Sequence, residues 1–186
     1  EGANIEDLKV FNLEPQKYFA FIGRLVAHKR AHDLVEAWKL ANEMRPQLFE
    51  NYKIAIIGDS AHTKDYVKIL KDLAKHDKRV VFTGFQHGPQ LASLVKNAKA
   101  VVNPSESERL SIASLEAMAA RTPLIVADIP ENLEIAEGQA KIFARRKPQE
   151  LAEALIWSLE KESEARELAN KAYEFVRGTH SMQGMT

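Results

Sequence analysis

The chain has 186 residues, enough for one good-sized α/β domain and short for two. Apolar residues make up 45% and charged residues 28%, an ordinary globular balance, and 26 basic against 26 acidic side chains leave no global field to draw in nucleic acid. There are no cysteines, which removes disulfide, zinc-thiolate and cysteine-nucleophile chemistry, and no apolar run approaches the roughly eighteen residues of a membrane span. A reducing, cytoplasmic setting is expected, with membrane association only through parts outside this chain.

Residues 1–17 show no hydrophobic period and read as a hinge or linker. Residues 18–23 are an apolar run closed by Gly23, followed by Arg24 and Lys29. Leu34, Ala37, Trp38 and Ala41 recur at helical spacing, with Trp38 better suited to packing than to stacking on a base, and Pro46 limits that helix. A second apolar strand covers 53–59. Tyr66, Ile69, Leu70 and Leu73 mark the next helical face, and 79–85 a third strand turning at Gly84. Pro89 stands at a first helical position ahead of the stripe Leu91, Leu94, Val95 and Ala98. A fourth strand spans 100–103.

The stretch from Pro104 to Ala120 then joins that strand to a helix. Ser111 is the natural N-cap, so the first turn should present unpaired N–H groups that favour an anion. Glu108 falls on the loop and Glu116 one turn into the helix, eight positions apart. Ile112, Leu115 and Met118 are expected to face the sheet. Strands over 122–128 and 141–144, a helix from Pro148, and a last helix with Ala165, Leu168, Ala169, Ala172 and Val176 complete the pattern. The tail, 179–186, reads as flexible. Buried strands alternating with amphipathic helices predict one α/β domain: a six-stranded parallel sheet with helices on both faces. Ligands in such sheets sit beyond the carboxyl ends of the strands, where Gly23, the turn at Gly84 and the loop after Asn103 all fall.

Arg24 and Lys29 on that edge are suited to gripping a diphosphate, and carboxylates to accepting from hydroxyls. No Walker A or Gly-x-Gly-x-x-Gly sequence is present, which weighs against ATPase and dinucleotide readings. His28 and His32 lack a third ligand for a metal. Asp59 and Asp128 are accounted for by turn chemistry.

Phe21-Ile-Gly-Arg-Leu25 with Lys29, Ile56-Ile-Gly-Asp59, Val81-Phe-Thr-Gly-Phe85, and Pro104-Ser followed by Glu108 and Glu116-Ala-Met-Ala119 together resemble the C-terminal, donor-binding half of group 1 retaining GT-B-type glycosyltransferases. The resemblance implies a Rossmann-like domain over 18–178 that binds a nucleotide diphosphate sugar, a UDP- or GDP-sugar, without a metal or other cofactor. It implies that Arg24 and Lys29, beside Gly23, bind the diphosphate, and that the backbone at Leu110, Ser111 and Ile112 holds phosphate oxygens. Gly84 and Phe85 would cup the base, Glu116 the ribose, and Glu108 would contact the sugar as the catalytic carboxylate of hexose transfer with retention. It also implies an N-terminal acceptor-binding domain outside this chain, so that the isolated domain is expected to be inactive and to bind donor weakly.

Two positions depart from the family pattern. Arg109 and Arg30 stand where glycine is usual, and Arg30 would either add charge at the phosphate or point into solvent. They are the best support for the alternative, a non-catalytic nucleotide-binding or scaffold domain with the same fold. A signalling switch of flavodoxin type would need an acidic cluster that Asp59 lacks, and a sugar-nucleotide epimerase a different acid/base set.

Overall fold

A computed structural model describes residues 3–183, with side chains given through Thr179. Among the described residues, six strands form one parallel sheet in the order β3-β2-β1-β4-β5-β6. The strands are β1 Tyr18–Ile22, β2 Lys53–Ile57, β3 Val80–Gly84, β4 Ala100–Asn103, β5 Leu124–Ala127 and β6 Lys141–Phe143. The helices are α1 Glu6–Lys9, α2 Ala31–Met44, α3 Lys64–Ala74, α4 Gly88–Lys96, α5 Ile112–Ala119, α6 Pro130–Ala136, α7 Pro148–Glu160 and α8 Glu162–Gln183, and a 3-10 turn covers Ala27–Lys29. This is the doubly wound, Rossmann-like architecture expected.

Strand side chains alternate between two apolar layers. Phe19, Phe21, Ile54, Ile56 and Val102 pack under α2 and α7, with Trp38, Leu151 and Leu155 fully buried there. Tyr18, Ala20, Ala55, Ile57, Val101 and Val126 face α4, α5 and α8 through Leu94, Met118 and Val176. Trp38 donates its indole N–H to Asp77 at 2.9 Å, so it is a packing residue with one satisfied polar atom.

Four expectations need correction. Much of the 1–17 segment is not a free linker: it forms α1, buries Leu8 and Leu13 against the second layer, and Asn4 N–H donates to Ser93 Oγ at 2.8 Å. The tail is helical at its start, since α8 runs to Gln183, and residues 184–186 lie outside those described. Ile69 points to solvent from α3, where Leu70 and Ala74 take the core. The sheet-facing residues of α5 are Ser114, Ala117 and Met118, whereas Ile112 is exposed at the strand-end edge. The short α6 has no counterpart in the periodicity reading. No helix among the described residues is long and apolar enough to cross a membrane.

The carboxyl ends of the strands are brought close by glycine. A Cβ on Gly58 would lie 1.8 Å from the Gly23 carbonyl oxygen, so only glycine permits this approach. Gly23 N–H donates to Ile57 O and Gly58 N–H to Gly84 O, both at 3.0 Å, which extends β-like bonding into the loops.

Candidate functional site

The reversal of strand order lies between β1 and β4, and the loops after these two strands border a cleft of about 300 Å³. Gly23, Arg24 and Lys29 approach from the β1 side; Glu108, Leu110, Ser111, Ile112 and Glu116 approach from the β4–α5 side. A second groove of about 520 Å³ shares Ile22, Gly23, Arg24 and Leu91 with the first and reaches Phe85, Asp59 and Ser60. Every predicted donor-site residue except Gly84 therefore lines one continuous depression. Gly84 (φ 73°) makes the turn that presents Phe85, which is exposed and stacks on His87 with ring centres 5.7 Å apart.

The start of α5 is fixed from beneath by a buried polar network. Ser111 Oγ accepts the Ser114 N–H at 3.1 Å, as an N-cap should. Asn103, at the end of β4, directs its side-chain amide at Ser111 Oγ (3.0 Å), Ser114 Oγ (3.1 Å) and Asn132 Oδ1 (3.3 Å). Asn132 in turn donates to Ala127 O at 3.0 Å. The Ser111 hydroxyl is consumed inside the fold, so what this residue offers the cleft is backbone. Among the described residues the N–H groups of Ile112 and Ala113 have no acceptor, as expected in the first turn of a helix. The helix dipole adds partial positive charge at the same point.

Opposite them, Lys29 Nζ lies 2.7 Å from Glu108 Oε1, and Ser105 Oγ donates to the same oxygen at 2.9 Å. Arg24 is exposed and makes no ion pair among the described residues. Glu116 stands on the open side of α5 with no ion pair among the described residues, and partial burial raises its carboxyl from the ordinary glutamate value. The arrangement is cationic and amide-rich in the middle, with a carboxylate at each flank.

The glycine departures have different outcomes. Arg30 neither reaches the cleft nor points into solvent: its backbone is left-handed (φ 56°) and its guanidinium donates to Asp33 at 2.6 and 3.0 Å. Arg109 is exposed beyond the cleft lining. His32 faces the Tyr66 hydroxyl at 2.8 Å, and among the described residues no cluster of three His, Asp or Glu side chains is arranged to hold a metal. Asp59 Oδ1 accepts the Ser60 N–H at 2.7 Å, a local turn contact, whereas Asp128 Oδ1 accepts the N–H of Arg145, seventeen residues on, at 2.9 Å and so joins two loops instead of capping a turn. Asn103, Ser114, Asn132 and Leu91 were not anticipated as parts of the site. The one visible sign was a polar Asn103 ending an apolar run.

A doubly wound sheet with a helix N-terminus and flanking carboxylates at its switch point is the architecture in which open α/β sheets place their ligand sites. Residues 4–175 match the family of group 1 glycosyl transferases, and the chain belongs to that family, as a C-terminal domain. It is 36% identical over 124 residues to an uncharacterised glycosyltransferase of Methanocaldococcus jannaschii, an alignment covering 66% of this chain and 30% of the relative. In fold it is similar to Anabaena HepE, whose crystal structure holds UDP and glucose, with a TM-score of 0.80, 23% identity, and coverage of 93% of this chain and 48% of that one. It also resembles the C-terminal domain of a group 1 glycosyl transferase (LpcC) from Francisella tularensis, with a TM-score of 0.77, 21% identity, and coverage of 95% and 92%. The chain spans only about a quarter to well under half of the length of the curated relatives it matches, from 25% to 37%.

Proposed function

We propose that this domain binds the nucleotide diphosphate sugar of a retaining hexosyltransferase, a UDP- or GDP-sugar, and presents its anomeric carbon to an acceptor held by a domain outside this chain. The observation that carries the reading is the cleft where Arg24, Lys29, Glu108, Glu116 and the free amides of Ile112 and Ala113 converge. The diphosphate lies against those amides with Arg24 and Lys29 beside it, Glu116 accepts from ribose hydroxyls, and Glu108 accepts from the hexose. The base occupies the second groove towards Phe85. That HepE has been crystallised with UDP and glucose supports the ligand class.

In the transfer, the bond between the anomeric carbon and the diphosphate oxygen breaks, its electron pair leaving with the diphosphate. A bond to the acceptor oxygen forms on the same face, and the acceptor's proton passes to the departing diphosphate oxygen. The charge that develops on the leaving diphosphate is met by fixed dipoles and cations, Lys29, Arg24 and the α5 amides, rather than by a divalent ion. Donor binding should therefore not require a metal. Lys29 must turn from Glu108 to the phosphate as the donor enters, which frees the carboxylate for sugar hydroxyls.

Adding UDP-glucose or GDP-mannose to isotope-labelled protein tests the placement. The amide resonances of Ile112 and Ala113 should move most on phosphate-bearing ligands and little on the free nucleoside. Shifts confined to other edges of the sheet would refute it.

A further inference from the structure

Arg30 adopts a left-handed backbone that suits glycine, one residue after Lys29, so its side chain must gain something by being there. Besides its two bonds to the buried Asp33, its Nη1 lies 3.4 Å from Glu106 Oε2. Glu106 Oε2 also pairs with Arg146, in the loop between β6 and α7. The Glu106 backbone N–H donates to His28 O at 3.0 Å. The loop that carries Glu108 is thus fastened to the turn that carries Lys29 through both main chain and side chain. None of Arg30, Glu106 and Arg146 lines the cleft.

We propose that Arg30 and Glu106, with Arg146, form a clamp that sets the separation of Lys29 and Glu108 across the cleft, and are positioning residues for the ligand bound there. Glu106 lies two residues before Glu108, and Arg30 directly follows Lys29, so movement in either loop is transmitted to the groups that meet the donor. The clamp itself rests on contacts within the chain; its consequence for binding rests on the donor-site reading.

Arg30→Gly suits the left-handed backbone and removes the clamp, but it also leaves the buried Asp33 carboxylate without its guanidinium partner, so Glu106→Gln is the variant that isolates the clamp. Glu106→Gln removes the charge at nearly constant size while leaving Arg30 on Asp33. Arg30→Lys keeps a cation and is the rescue variant. Two readouts separate the clamp from the ligand: amide hydrogen exchange over residues 105–112 without ligand, and titration with UDP-glucose against uridine. Arg30→Gly and Glu106→Gln should each speed exchange and weaken UDP-glucose about tenfold, with little effect on uridine, and the double variant should lose no more than the weaker-binding single. Arg30→Lys should restore most of the loss, and the Glu106→Gln effect on binding should vanish in a Lys29→Ala background. Unchanged exchange in both variants overturns the clamp, as do losses that multiply in the double variant. Faster exchange with wild-type affinity for UDP-glucose overturns the positioning role. Faster exchange in a protein whose wild type takes up neither UDP-glucose nor GDP-mannose upholds the clamp and refutes the donor reading.

Discussion

Lys29 Nζ and Glu108 Oε1 are 2.7 Å apart, with only 18% and 8% of their side chains exposed. The cation assigned to the diphosphate and the carboxylate assigned to the sugar therefore hold one another in the free protein. Removing one partner leaves the other charge half-desolvated. Lys29→Ala should cost about 2 kcal/mol in urea unfolding as well as donor binding. The paired change Lys29→Met with Glu108→Leu should recover most of that stability and none of the binding. If the pair contributed nothing, the single variant would melt with the wild type.

The polar network beneath α5 has a separate stability signature. Ser111→Ala removes the N-cap acceptor for Ser114 N–H and should cost about 1 kcal/mol. Asn103→Leu leaves Asn132 Oδ1 and the Ser105 N–H without their partner in a buried setting and should cost about 2–3 kcal/mol. Chemical denaturation orders the two, and an Asn103 variant milder than the Ser111 one would contradict the network.

Gly58 is predicted to be among the least replaceable residues in the chain. A methyl group at this position would stand 1.8 Å from the backbone oxygen of Gly23, and backbone cannot swing away as a side chain can. Gly58→Ala should unfold the strand-end edge or lower the melting temperature by more than about ten degrees, on the order of 3 kcal/mol or more. Gly138→Ala meets no atom within 4 Å and has only its positive φ to oppose it, so a loss of about 1 kcal/mol is expected.

The strands and most helices could be read from periodicity, because buried parallel strands and one-sided helices leave an unmistakable apolar pattern. The failures are informative about where that pattern stops working. In α5 the buried face is set by Ser114 bonding to Ser111 and Asn103, so a polar residue lies inward and Ile112 outward, the reverse of what hydrophobicity implies. In residues 3–17, Leu8 and Leu13 anchor a segment too short and irregular to show a period. The candidate site residues were found through family resemblance, and all but Gly84 line the two grooves at the strand ends. The clamp of Arg30, Glu106 and Arg146 joins three loops far apart in sequence, and no local spacing announces it.

Acid stability should carry the mark of Asp77. Burial alone would raise its carboxyl, but bonds from the Arg79 side chain and N–H and from the Trp38 indole outweigh that and hold it below the ordinary value of 3.8. The folded chain gives up this proton more readily than the unfolded one. Its stabilisation is complete above the ordinary aspartate range and is lost as pH falls through that range towards the lower folded value. Asp77→Asn should flatten the acid limb of a stability–pH curve, with Trp38 fluorescence as the local readout.

Calorimetric titration of UDP-glucose and GDP-mannose into the wild type, Lys29→Ala and Glu116→Ala, with and without a chelator, bears most directly on the donor site. A single site for at least one of these sugars, unaffected by chelator, lost with Lys29→Ala and weakened with Glu116→Ala, is the predicted result. Binding that survives both substitutions, or that requires a divalent ion, would contradict it, as would no heat from either donor.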